Sequence, residues 1–160
     1  MSEALVDLAM ELFEKAYALQ RQGELELAAD LYRRSIEIHP TAEAYTFLGW
    51  TYRHQGRIED AIAQCKKAIE VDPGFGNPYN DIGAYLIELN RADEAIPWLE
   101  QAIDSRRYDA YHYPWYNLGR VFVIKEMYRE ARRCFEQSLE IEPGYEPARE
   151  ALGKLKRLVQ

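Results

Sequence analysis

The sequence predicts an all-α protein built as four antiparallel helix hairpins in a row, closed by one further helix. Three observations carry that prediction. Apolar residues recur three and four positions apart, as in Tyr45, Leu48 and Tyr52 or Ile62, Cys65 and Ile69, which is the period of a helix with one buried face. Small residues return at nearly constant intervals. Gly49, Gly83, Gly119 and Gly153 are 34, 36 and 34 apart, and Ala28, Ala61, Ala95 and Ala131 are 33, 34 and 36 apart. Turn and stop residues punctuate both series, and no segment alternates polar and apolar over a strand's length.

The first hairpin, about residues 9–41, opens with "LFEKAYAL" from Leu12 and turns at Gly23 in "QRQGELE". It continues as "AADLYRRSIEIHP" from Ala28 and stops at Pro40. Glycine suits the left-handed position after a helix, and proline cannot continue one. The second, about 42–75, reads "YTFLGWTY" from Tyr45, turns at Gly56, continues as "AIAQCKKAIEVDP" from Ala61 and stops at Asp72-Pro73-Gly74. The third, about 76–111, reads "YNDIGAYL" from Tyr79, turns at Asn90 and continues as "AIPWLEQAIDSRR" from Ala95. Pro97 lies near the start of that second helix, where a lost hydrogen bond costs least, so a bend and not a break is expected. The connection "SRRYDAYHYP" is two residues longer than its counterparts and should bulge from one rim. The fourth hairpin, about 112–145, reads "WYNLGRVF" from Trp115 and "ARRCFEQSLEIEP" from Ala131. A last helix over about 146–159 should expose Glu150, Lys154 and Arg157 and turn Leu152, Leu155 and Leu158 to the fourth hairpin. Residues 1–160 read as one domain, because a lone hairpin cannot cover its own apolar face and neighbours must stack. The short side chains mark where helices approach closely.

The series "WYNLGRVF…ARRCFEQSLEIEP" matches nearly every position of W-x₂-L-G-x₂-Y…A-x₃-F…P, and "YTFLGWTY…AIAQCKKAIEVDP" matches most. On these residues the chain resembles the tetratricopeptide-repeat family over about residues 9–160. The resemblance implies a right-handed superhelical α-solenoid with a concave groove lined by the first helix of each hairpin. It also implies a scaffold or adaptor that holds a peptide or partner-protein segment in that groove. The first copy departs from the pattern, with Lys15 and Ala16 where Leu-Gly belongs. A terminal helix has no earlier neighbour to pack on, so a lysine is tolerated there.

Helical phase then sorts the first helices into packing and groove positions. In "YHYPWYNLG", residues 111–119, Trp115 and Leu118 fall on the core side, while Tyr113, Tyr116 and Arg120 fall on the groove side. The equivalent positions are Met10, Phe13 and Tyr17; Glu43, Thr46, Trp50 and Arg53; and Asn77, Asn80, Ala84 and Ile87. The candidate partner-binding residues are therefore Phe13, Tyr17, Trp50, Arg53, Asn80, Ile87, Tyr113, Tyr116 and Arg120. Five of them are aromatic, and exposed aromatic and arginine side chains anchor interfaces. Arg53 and Arg120 would offer fork-like donors to a carboxylate or a carbonyl. The alternative is that superhelical curvature buries these rings against one another or under the N-terminal helix. Family members that grip acidic chaperone tails use lysine, asparagine and arginine at positions held here by Phe13, Tyr17, Phe47, Asn77 and Asp81, so that ligand is not expected.

Composition narrows the function classes. The 160 residues carry 20 basic and 27 acidic side chains, a net charge of −7. Phosphate binding needs a concentrated basic surface, and no basic run appears except Lys154–Arg157, so nucleic acid is not an expected partner. No apolar run nears the roughly 18 residues of a membrane span, and the acidic, amphipathic start is unlike a signal peptide. A cytoplasmic setting without membrane contact is expected, with Cys65 and Cys134 as reduced, packed thiols. His39, His54 and His112 lack metal-type neighbours, and Ser35 and Ser138 sit where helices touch, which suits packing and not a nucleophile. "GFGNP" from Gly74 lacks the preceding strand and the third glycine of a phosphate loop. Neither catalysis nor a cofactor nor a metal is expected. The second reading is a structural protein that self-assembles into a homo-oligomer through its repeat ends or rim loop.

Overall fold

A computed structural model describes residues 1–159, and these form nine α-helices. They are α1 (Glu3–Arg21), α2 (Leu25–Ile38), α3 (Ala42–His54), α4 (Ile58–Val71), α5 (Asn77–Glu88), α6 (Ala92–Asp104), α7 (His112–Ile124), α8 (Tyr128–Ile141) and α9 (Glu146–Leu158). Odd and even helices pair as hairpins, each even helix also packs on the next odd one, and α1, α3, α5 and α7 touch in succession. The hairpins thus stand in a row, with the odd helices along one face. Helix α1 starts well before the repeat motif because Ser2 caps it, its hydroxyl oxygen accepting from the Leu5 N–H at 3.2 Å.

The four hairpin turns share one geometry. Gly23, Gly56, Asn90 and Glu126 have φ of 82°, 80°, 60° and 59°. The residue after each donates back across the turn: Glu24 to Leu19, Arg57 to Tyr52, Arg91 to Leu86 and Met127 to Phe122, at 2.8–2.9 Å. This pattern satisfies carbonyls that a helix end leaves open. The first three turns follow the sequence signals; the fourth places a glutamate in left-handed backbone.

The small residues do what their spacing predicts. A Cβ on Gly83 would stand 2.5 Å from Leu99 Cγ, and one on Gly49 would stand 3.0 Å from the Ala61 carbonyl oxygen. Ala28, Ala61, Ala95 and Ala131 are all buried at these seams, with Tyr32, Cys65, Leu99 and Phe135 filling the space beside them. Burial pushes the thiol pKa of Cys65 well up and that of Cys134 up to about 11. Ser35 and Ser138 add a feature that spacing alone did not show. Their hydroxyls donate to the carbonyls of Ala9 and His112, at 2.7 and 2.8 Å, tying each second helix to its own first helix.

Two expectations need correcting, and the expected absence of a break at Pro97 holds. The α6–α7 connection does not bulge. Arg107 N–H donates to the Gly74 carbonyl and Gly76 N–H to the Arg107 carbonyl, a two-residue bridge that lays the loop on the α4–α5 linker. Arg107 also pairs with Asp72 at 2.8 Å, which holds the Asp72 carboxyl below its ordinary range. Leu158 does not face the fourth hairpin but is 62% exposed, whereas Leu155 is buried as expected. Helix α6 runs unbroken through Pro97.

Candidate functional site

The candidate residues lie on the odd helices but divide into three environments. At the N-terminal end, Phe13 stacks on Phe47 with centroids 5.5 Å apart and meets the Tyr32 ring edge-on at 5.6 Å. Phe13 is half-buried and belongs largely to the core. Tyr17 lies 5.7 Å from Phe47 and keeps an exposed side. The alternative of rings buried against one another therefore holds for Phe13 and not for Tyr17.

The middle of the face is polar and partly closed. Arg53 is not a free donor: its guanidinium forks onto Glu88 of α5, with Nη2 at 2.6 Å and Nε at 3.1 Å from Oε1. Trp50, half-buried, lies against His54 with ring centroids 3.7 Å apart. Burial and then the nearby Arg53 charge lower the His54 pKa. Asn80 and Ile87 are only 7% and 6% exposed, so they are floor and not open contacts. The Asn80 carbonyl oxygen accepts from the Asn117 amide at 2.9 Å, and the Asn117 oxygen accepts from Arg120 at 3.0 Å. A polar ladder thus crosses from α7 to α5. Next to it, Asp81 is partly buried, and its pKa is raised to about 7 by burial.

The C-terminal end is the most open. Tyr113 is 41% exposed, and Tyr116 and Arg120 are half-buried. Tyr145, from the α8–α9 connection, sets its ring edge-on to Tyr116, Tyr113 and His112 at 5.4, 5.5 and 4.8 Å. Such edge-to-face contacts fix ring orientation. Burial pushes the Tyr145 pKa up to about 12. Beside this cluster an open cleft of about 270 Å³, lined by Arg120, Val123, Ile124 and Leu155, leads toward α9.

Tyr145, His54, Asn117 and Glu88 join the face without having been singled out. Tyr145 sits in a loop, where helical phase says nothing. Asn117 lies one residue off the groove phase and is reached only because Arg120 and Asn80 close on it.

Residues 13–74 match one tetratricopeptide-repeat profile and residues 76–143 match another. The chain belongs to the tetratricopeptide repeat family. It is 38% identical over 93 residues to a protein SGT1 homolog of Oryza sativa subsp. japonica, covering 58% of this chain and 25% of that one. It is 29% identical over 124 residues to the type IV pilus assembly protein PilF of Pseudomonas aeruginosa, covering 77% and 49% respectively. The solved structure of P. aeruginosa PilF superposes with a TM-score of 0.89 at 22% identity, over 96% of this chain and 69% of that one. YrrB, a TPR protein with an unusual peptide-binding site, superposes at 0.70 with 24% identity, over 94% and 77%. This tetratricopeptide-repeat chain thus spans a quarter of the SGT1 homolog and about half of PilF. The shared fold is the right-handed superhelical α-solenoid that the motif implied, a protein-interaction scaffold in general terms. No helix among the described residues is long and apolar enough to cross a membrane.

Proposed function

We propose that the concave face is an adaptor groove that receives a peptide or a segment of another protein. The observation that carries this reading is the C-terminal cluster of Tyr113, Tyr116 and Tyr145 beside Arg120. These rings are held edge-on by one another, yet Tyr113 is exposed and the adjoining cleft is open. Rigid, half-open aromatic side chains beside an arginine make contact area at little entropic cost. Arg120 enters no ion pair among the described residues and can donate to a ligand carbonyl or carboxylate. Tyr17 and Trp50 would extend the contact toward the N-terminal end. Arg53 would act through Glu88, as half of a paired charge. The role is non-catalytic, and the two buried, unpaired thiols suit a reducing compartment.

The test compares Tyr113→Ala and Trp50→Ala with the unaltered protein in affinity capture and thermal unfolding. Lost capture with unchanged melting supports the groove. Unchanged capture by both variants would overturn it.

A second reading, self-assembly through the repeat ends, is favoured by the exposed Leu5 and Leu8 on α1, Leu158 at the end of α9 and Val159 after it. Light scattering across a concentration series separates the two, because a constant monomer mass excludes assembly.

A further inference from the structure

Phe47, Asp81 and Asn117 occupy one register on α3, α5 and α7, since 81−47=34 and 117−81=36, the repeat spacings. In two of the three the side chain is satisfied from within. Phe47 is met by the rings of Phe13 and Tyr17. Asn117 donates to Asn80 and accepts from Arg120. Asp81 has no such completion. Among the described residues it enters no ion pair. The Asn80 amide is the one hydrogen-bonding group that favours its ionised form. Arg53, the arginine on the preceding first helix, is committed to Glu88, and Arg120 gives one donor to Asn117 and is not among the groups that bear on the Asp81 carboxyl. The groups that sense the Asp81 charge are Cys65 of α4, Tyr85 of α5 and Tyr108 of the α6–α7 connection. All three are pushed up in pKa and stay neutral at pH 7. A carboxylate withdrawn from water without a counter-charge is costly to hold, and this one remains partly exposed.

We propose that Asp81 is the receptor for a lysine or arginine of the groove-bound segment, with apolar residues of that segment on the flanking aromatic clusters. This rests on the groove reading given above and names the chemistry of its ligand. The cation completes the one position in the register that the protein leaves open. Tyr17 and Phe47 on one side, and Tyr113, Tyr116 and Tyr145 on the other, take the flanking residues. Binding then takes up the ionised carboxylate and releases a proton. Because the Asp81 pKa is raised to about 7, roughly a tenth of the free protein is ionised at pH 6 and about nine-tenths at pH 8. The apparent affinity for a basic peptide should therefore rise about tenfold across that interval. The neighbouring imidazoles, His54 of α3 and His112 of α7, are both held below their ordinary range, chiefly by burial.

The experiment selects phage-displayed random dodecapeptides on the full chain, on Asp81→Asn and on Tyr113→Ala, each checked by thermal unfolding. The unaltered protein should enrich peptides with a lysine or arginine flanked by apolar residues. On Asp81→Asn that enrichment should vanish while the apolar preference stays, and a selected lysine peptide should bind at least about tenfold more weakly at pH 8, without the pH dependence. On the unaltered protein, carboxyl NMR should show the Asp81 titration midpoint moving down when that peptide is added, a readout independent of any variant. Peptides that depend on Tyr113 but show no basic preference, or a midpoint that stays in place, overturn the Asp81 inference and leave the groove standing. No enriched peptide, or peptides indifferent to Tyr113→Ala, overturn both.

Discussion

Gly119 lies so close to Phe135 that a methyl group on the glycine would stand within 2.8 Å of three ring carbons. The contact joins the two helices of the fourth hairpin, and the third hairpin repeats it with Gly83 and Leu99. Gly153 on α9 has the same register but nothing within 4 Å of a built Cβ. One residue type therefore has opposite consequences along the chain.

Gly119→Ala and Gly83→Ala should each destabilise by about 1–3 kcal/mol through overpacking. Gly153→Ala should stabilise by about 0.5–1 kcal/mol, because alanine holds a helix better than glycine and meets no neighbour here. Urea unfolding of the three variants checks the signs.

Glu126 has a φ of 59° at the fourth hairpin turn, where two of the other turns use glycine. Left-handed backbone costs a side-chain-bearing residue about 1–2 kcal/mol, partly offset by the greater freedom glycine loses on folding. Glu126→Gly should raise stability by about 0.5–1 kcal/mol, read as a higher urea midpoint with an unchanged slope.

Asp81 has a folded pKa of about 7, above the roughly 3.9 of an unfolded chain. Below about pH 4 both states hold the proton. Between about 4 and 7 only the folded state does, so this group's contribution to stability falls as pH rises through that window and then levels off. Asp72, held low by Arg107, pulls the other way at its own acid end. The comparison must therefore be made between variants at each pH. Asp81→Asn should gain about 2–4 kcal/mol on the unaltered protein between pH 4.5 and pH 8. Equal differences at the two pH values would contradict this.

Ser138 donates to the His112 carbonyl and Ser35 to that of Ala9. Both hydroxyls are buried. Ser138→Ala should cost about 1 kcal/mol and loosen the start of α7, from which Tyr113 and Tyr116 project. Faster amide exchange in the first two turns of α7 would report it.

The repeat could be read directly from Gly49, Gly83 and Gly119 and their alanine partners, because close helix contact is a short-range steric demand that only small residues meet. Helical phase also placed Tyr113, Tyr116 and Trp50 on the odd-helix face, since phase depends on backbone geometry alone. It could not show that Glu88, 35 residues on, would capture Arg53, nor that Tyr145 would swing from a loop onto α7. It placed Asn80 and Ile87 in an open groove, whereas packing between α5 and its neighbours buries both. The sequence by itself determined which residues build the hairpins and which side of each helix packs as core. Only the tertiary structure decided which inward side chains stay available. Availability depends on how tightly consecutive hairpins curve together, and that is a property of side chains meeting across repeats, which no single helix encodes.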